Sequence, residues 1–81
     1  MPRYFFDLRD GDELAVDEEG LELKTVQAAQ AEAAKSLADM ARDLVHTTTS
    51  SSTHQLAIEV RDGAGPVMQV RFIFEVQTKM H

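Results

Sequence analysis

The stretch "IEVRDGAGPVMQVRFIF", residues 58–74, decides the fold because it holds parts of two apolar strands and the turn that joins them. Apolar residues alternate with polar ones up to Val60 and return at every even position from Met68 to Phe74. Alternation with a period of two is typical of a strand that buries one face. The Asp-Gly pair between the two runs is a common turn signal. The stretch therefore predicts a β-hairpin.

The apolar faces of the two strands set the register expected for this hairpin. Residues that pair directly in an antiparallel ladder lie on the same face of the sheet. Ile58 is therefore expected opposite Met68, and Leu56 opposite Val70. This register leaves residues 61–65 as a five-residue connection.

The tripeptide Arg-Asp-Gly also occurs near the N-terminus, in "YFFDLRDGDELAV" at residues 4–16. Apolar residues again hold even positions on both sides of it. By the same argument, Leu8 is expected opposite Leu14 and Phe6 opposite Val16, across a connection formed by residues 9–13. The repetition indicates two hairpins with the same turn chemistry. Three residues are too few to indicate a duplicated unit.

One helix is predicted between the hairpins. Thr25 can cap its N-terminus, and apolar residues follow at steps of three and four, which places them on one stripe. The stripe comprises Val26, Ala29, Ala33, Leu37, Met40, Ala41, Leu44 and Val45. Its first half is rich in alanine and is expected to approach the sheet closely. The helix should end near His46, before the Thr/Ser run at residues 47–53, which is predicted to be a flexible linker.

These elements predict a single α+β domain over residues 1–81, with the element order ββαββ. Two β-hairpins form one four-stranded antiparallel sheet, and the helix packs on one face of it. The third strand is expected to run antiparallel beside the first, which gives the strand order 2-1-3-4. On the buried face, Leu37, Met40 and Leu44 are expected to cover the side chains of Tyr4, Phe6, Leu8, Leu56, Ile58, Val60, Val70, Phe72 and Phe74.

Composition and charge exclude several classes of function. The net charge is −6, and 8 of the 14 acidic residues lie within residues 7–22, so binding to nucleic acid or to an anionic membrane is not expected. The chain has no cysteine and hence no disulfide or thiol chemistry. No stretch approaches the roughly 20 apolar residues of a membrane span, and the N-terminus lacks the pattern of a secretory signal. A cytoplasmic location is expected.

No catalytic residue, metal site or cofactor is predicted. His46, His54 and His81 lack the spacing of a metal-ligand set. The acidic run "DGDELAVDEE" at residues 10–19 lacks the order of acids, glycine and glutamate that a calcium loop requires. No nucleophile lies in a pattern that would pair it with a base. The chain is therefore not expected to be an enzyme.

The face of the sheet away from the helix is the candidate interface. Odd positions of the strands mix apolar residues with arginines and acids, as in a modest interaction surface. The residues singled out for this role are Phe5, Val67, Arg71 and Ile73. A protein-interaction or self-associating module is predicted, with a homo-oligomer as the commonest form of such association.

Four stretches together resemble a family of short proteins of unknown function from rhizobia and related alphaproteobacteria. They are "MPRYFFDLRDG" at 1–11, "DEEG" at 17–20 followed by "LEL", "AAQAEAAKSLADMARD" at 28–43, and "IEVRDGAG" at 58–65. The resemblance implies no activity, cofactor or catalytic residue. A weaker likeness, in the order strand, turn, strand and alanine-rich helix, is to HicB antitoxins. It implies the alternative of an antitoxin-like or regulatory module that binds a small protein partner.

Overall fold

The computed structural model of the chain describes residues 1–47 and 53–75. In chain order, its elements are β1 (Arg3–Asp10), β2 (Glu13–Ala15), β3 (Leu21–Glu22), α1 (Val26–Thr47), β4 (Thr53–Asp62) and β5 (Gly65–Glu75). Of the predicted linker at 47–53, the first residue ends α1 and the last begins β4, and residues 48–52 lie outside the described residues. The protein has one helix and one antiparallel sheet in its described part, so the predicted α+β class is confirmed.

The strand order is β2-β1-β4-β5, and β3 pairs with β1 on the same side as β2. All pairs are antiparallel, and β4 lies beside β1 as expected. The predicted order of the four main strands is therefore confirmed. The short strand β3 was not predicted, because a two-residue element has no period to detect.

The core lies between α1 and the face of the sheet formed by the even positions of the main strands. Its buried residues are Tyr4, Ala29, Ala33, Leu37, Leu56, Ile58 and Val60, and Phe6, Leu8, Met40, Leu44, Val70 and Phe72 pack against them. Ala29 and Ala33 are fully buried, which confirms the close approach of the alanine-rich half of the helix. Phe74 stacks on Phe72, with ring centroids 6.3 Å apart.

The register predicted for the first hairpin is wrong. Asp10 pairs with Glu13 across a two-residue loop, so Leu8 lies opposite Ala15 and Leu14 opposite Arg9. Gly11 has a φ of +60°, which a tight turn of this kind needs and which glycine adopts without strain. The apolar residues after the turn therefore leave the core, and Leu14 is 46 % and Val16 57 % exposed.

The second hairpin also has a two-residue loop, with Asp62 paired to Gly65, so its predicted five-residue connection is wrong as well. A register shift next to Val60 inserts one extra residue, Val67, into β5. Beyond this bulge even positions pair with even positions, for example Val60 with Met68. The bulge thus explains why β5 keeps its apolar residues on the core face although the turn is tight.

The helix begins as predicted. The hydroxyl oxygen of Thr25 accepts a hydrogen bond of 3.0 Å from the backbone N–H of Ala28, which satisfies one free donor of the first turn. The exposed side of α1 carries polar and charged residues together with Ala31, Ala34 and Ala38. In the described residues, no helix is long and apolar enough to cross a membrane.

Candidate functional site

The outer face, meaning the side of the sheet opposite α1, carries the odd positions of β1, β4 and most of β5. Direct pairing sets Arg9 opposite Ala57, and Ala57 opposite Arg71. The three side chains therefore form one row across the sheet, with an arginine at each end and a methyl group in the middle. This row is the centre of the candidate site.

Ala57 forms the floor of a groove between the two arginines. The residue is only 6 % exposed although it lies on the outer face, because longer side chains rise on both sides of it. The groove has a volume of about 130 Å³. The outer-face residues that line it are Arg9, Gln55, Ala57, Gln69, Arg71 and Ile73. We call this cavity the outer groove.

The two arginines of the outer groove differ in their partners. Nε of Arg9 donates to a carboxylate oxygen of Glu59 at 2.9 Å, and the side-chain amide of Gln69 donates to the same oxygen at 3.2 Å. Arg71 is exposed, and within the described part of the chain its guanidinium has neither an ion pair nor a hydrogen bond. Arg71 therefore keeps all five N–H donors available to a ligand.

The other half of the outer face is held by an ion-pair network around Arg61. Nε of Arg61 donates to Asp7 at 2.9 Å, and one of its terminal nitrogens donates to the other Asp7 oxygen at 3.5 Å. The same terminal nitrogen donates to the backbone carbonyl of Asp17 at 2.9 Å, and the N–H of Asp17 donates to Asp7 at 2.9 Å. The network ties the segment after β2 to the middle of the sheet.

The carboxylate of Asp17 lies beside β1, in the gap between β2 and β3. One oxygen of its carboxylate accepts a hydrogen bond of 3.1 Å from the N–H of Phe6, on the side of β1 where no strand pairs at that position. The other oxygen accepts from the N–H groups of Glu19 and Gly20 at 3.1 and 3.2 Å. Burial alone would raise the pKa of Asp17, but these three N–H donors and the charge of Arg61 outweigh it and hold the pKa below its ordinary value.

Phe5 belongs to this network. The guanidinium carbon of Arg61 lies 4.5 Å from the centroid of the Phe5 ring, in cation–π geometry. Gly20, with a φ of +72°, lies against the same ring, and a Cβ placed on it would come within 2.9 Å of Phe5. Phe5 therefore helps to fix the turn at Gly20.

The structure separates the four residues predicted for the interface. Arg71 and Ile73 line the outer groove together, and Ile73 is 58 % exposed. Phe5 is half-buried beneath Arg61, and Val67 is half-buried at the bulge, where it packs against the core. The interface itself stays a prediction. Cross-strand pairing places Arg9 and Ala57 beside Arg71, so the outer groove contains two of the four predicted residues and two that were not predicted.

The chemistry available at this surface is recognition of an anion or of a peptide. In the ranges 1–47 and 53–75, no group of three or more His, Cys, Asp or Glu side chains could hold a metal ion. Both oxygens of the Asp7 carboxylate accept hydrogen bonds, and so do both oxygens of Asp17. Asp7 and Asp17 therefore stabilise the fold.

Comparisons with known proteins place the chain in a family. Searches of curated proteins and of solved structures found no match. The family model of DUF6894, a domain of unknown function, matches residues 3–73. The matched region begins with β1 and extends to Ile73, so it includes both Arg-Asp-Gly turns, the Asp17 network and the outer groove. The chain therefore belongs to the DUF6894 family of domains of unknown function.

Proposed function

We propose that this protein is a non-catalytic module that self-associates through β5. The observation that carries the proposal is the free side of this strand. β5 is 11 residues long and, within the described residues, pairs only with β4. We call its other side the β5 edge. It presents a row of backbone N–H and C=O groups that a further strand can pair with.

The two edges of the sheet differ in a way that supports this role. On the far side, β1 is covered by β2 and β3, and the carboxylate of Asp17 occupies the gap between them. Short strands and inserted charges are the usual protection of a sheet edge against pairing with another chain. β5 has no such cover among the described residues, and its proline, Pro66, lies at the start of the strand, where it leaves the rest of the edge free.

A second copy of the chain fits the β5 edge. Two β5 strands that run antiparallel about a twofold axis would join the two sheets into one, and each copy would contribute the same surface. Ile73 adds an exposed apolar side chain near that edge. A domain of 81 residues buries only about 60 % of its unfolded surface, so such pairing would also add to its stability.

The proposal that the protein is non-catalytic rests on the state of its carboxylates. General acid–base catalysis requires a group whose pKa lies near the working pH. The pKa of Asp17 is shifted in the opposite direction, below its ordinary value, by the backbone donors around it. Asp7 is engaged by Arg61 and by the N–H of Asp17. Asp17 is therefore not poised to transfer a proton at neutral pH, and both oxygens of Asp7 are occupied as hydrogen-bond acceptors.

Sedimentation velocity over a wide range of protein concentration tests the self-association. We expect the wild type to form dimers and Ile73→Lys to remain a monomer, since a lysine near the edge opposes pairing. Val16→Lys is the matched control, because Val16 is 57 % exposed and Ile73 58 %, and the two variants change the net charge equally. Val16 follows β2, away from β5, so this variant should dimerise like the wild type.

A wild type that stays monomeric at the highest concentration would contradict self-association. The same open edge favours the second candidate, an antitoxin-like or regulatory module that adds a strand from a small protein partner. Coexpression with a toxin-sized neighbouring reading frame would test that alternative. It predicts a one-to-one complex that Ile73→Lys weakens and Val16→Lys leaves intact.

A further inference from the structure

We propose that the outer groove binds the carboxylate side chain of an acidic segment in a partner protein. The inference goes beyond self-association, because it concerns side chains on the outer face, whereas strand pairing uses the backbone at the β5 edge. Arg71 is the anchor, Arg9 lies at the opposite wall, and Ala57 forms the floor.

Arg71 is suited to bind an anionic acceptor, because its side chain is exposed and its donors have no protein partner among the described residues. Its guanidinium is planar and always charged, and it matches the geometry of a carboxylate with two parallel hydrogen bonds. Every other arginine of the described residues is engaged by a protein carboxylate: Arg3 by Glu22, Arg9 by Glu59, Arg42 by Asp39 and Arg61 by Asp7. Arg71 alone among them lacks such a partner.

The size of the groove selects the ligand. A cavity of about 130 Å³ is close to the roughly 150 Å³ that accommodates a benzene-sized group, and is well below the roughly 300–1,000 Å³ of small-molecule and cofactor sites. This volume accommodates one amino-acid side chain. The methyl group of Ala57 and the side chain of Ile73 offer apolar contact to the methylene groups of an aspartate or glutamate.

Charge favours a protein ligand over a nucleic acid. Over this row and the next two rows of the outer face, Arg9, Arg61 and Arg71 face the carboxylates of Asp7 and Glu59, which leaves one net positive charge. Arg61 neutralises Asp7 and Arg9 neutralises Glu59, so the unpaired charge is that of Arg71. That is sufficient to attract a single carboxylate. The protein as a whole carries −6, which opposes the dense charge of a nucleic-acid backbone. A single positive site on an acidic protein therefore favours a ligand with one or a few negative charges over a polyanion.

A titration followed by ¹H–¹⁵N correlation spectra tests the site, with an N-acetylated, C-amidated hexaglutamate peptide as the probe. We expect saturable shifts of the backbone amides around residues 55–57 and 69–73, which surround the groove. Hexaglutamine should produce none. Arg71→Gln should weaken hexaglutamate binding by about tenfold or more, because a hydrogen bond to a charged group contributes about 1.5–3 kcal/mol. Raising the salt concentration should weaken binding too.

Arg42→Gln is the matched control, since Arg42 is an exposed arginine on α1 whose ion pair with Asp39 is 3.3 Å long. It should bind hexaglutamate like the wild type. Binding that Arg71→Gln leaves unchanged, or shifts confined to α1, would overturn the inference. A titration with inorganic phosphate completes the experiment. Phosphate shifts equal to those of hexaglutamate at the same concentration would assign the groove to free phosphate and overturn the protein ligand.

Sedimentation of the same samples separates this inference from the proposed function. A monomer that binds hexaglutamate through Arg71 supports the groove and contradicts self-association. A dimer whose groove gives no shifts with hexaglutamate overturns the groove and leaves self-association intact.

Discussion

At the residue scale, the carboxylate of Asp17 gives β1 a hydrogen-bond acceptor where no neighbouring strand provides one. Residues 16–20 form no ladder with β1, yet the N–H of Phe6 still has an acceptor, the Asp17 carboxylate at 3.1 Å. An edge N–H left without an acceptor in a half-buried position is unfavourable. One side chain therefore allows the chain to leave β1 after β2 and return as β3. The acidic character of this segment has a structural reason at Asp17.

The lowered pKa of Asp17 makes a pH-dependent contribution to stability. Because the carboxyl binds its proton more weakly in the folded state, its contribution is complete above the unfolded pKa, about 3.9 for aspartate, and is lost as the pH falls through the lower folded pKa. We expect Asp17→Asn to be less stable than the wild type at pH 7, and the difference in the free energy of unfolding to shrink below about pH 4.

Urea unfolding of both proteins over a range of pH measures this difference. Glu18→Gln is the control, since Glu18 is the adjacent exposed acid, and it should differ little from the wild type at any pH. A difference between the wild type and Asp17→Asn that stays constant down to the lowest pH would contradict the role given to the Asp17 charge.

At the element scale, the two Arg-Asp-Gly turns show what period and turn chemistry can predict. Both hairpins, the helix and its cap at Thr25 follow from patterns that one sequence displays. The registers of the two hairpins could not be predicted in this way. Matching of the apolar faces predicts five-residue loops, whereas both loops have two residues. In the second hairpin, the bulge at Val67 keeps the even-numbered residues of β5 on the buried face although the loop has only two residues. No local sequence pattern predicts this bulge. In the first hairpin no such shift occurs, so Leu14 leaves the core.

The alanine-rich half of α1 sets the distance between helix and sheet. Ala33 is fully buried in the core cluster. We expect Ala33→Leu to destabilise the protein by about 1–3 kcal/mol, because overpacking a filled core forces the helix or its neighbours to shift. Ala34→Leu, on the exposed side of the same turn, should change stability by less than about 0.5 kcal/mol. Urea unfolding of the two variants provides the comparison. Equal stability of both would show that the helix does not need small residues to reach the sheet.

At the scale of the whole molecule, the candidate site appears only when three strands are in register. The sequence identifies Arg71 and Ile73 as outward-facing by their odd positions. It cannot show that Ala57 lies between Arg9 and Arg71, because those residues are far apart in the chain and meet through the ladders of β4 with β1 and β5. Phe5 shares their face but lies two rows away, opposite Arg61, where it packs against the network of Asp7 and Asp17. The sheet thus divides its outer face into a structural half and an open half.

If dimers form through the β5 edge as part of the stable fold, thermal stability must depend on protein concentration. A tenfold rise in concentration stabilises a dimer by about 1.4 kcal/mol, or about 0.7 kcal/mol per protomer. A domain of this size shifts its Tm by about 4–8 °C per kcal/mol, so we expect the wild-type Tm to rise by roughly 3–6 °C for each tenfold increase in concentration.

Val16→Lys should show the same dependence of Tm on concentration. Ile73→Lys should have a Tm that does not change with concentration, because its folded state is monomeric. Calorimetry over about a hundredfold concentration range measures all three, and a flat wild-type Tm would show that the open edge of β5 does not join two copies of the chain.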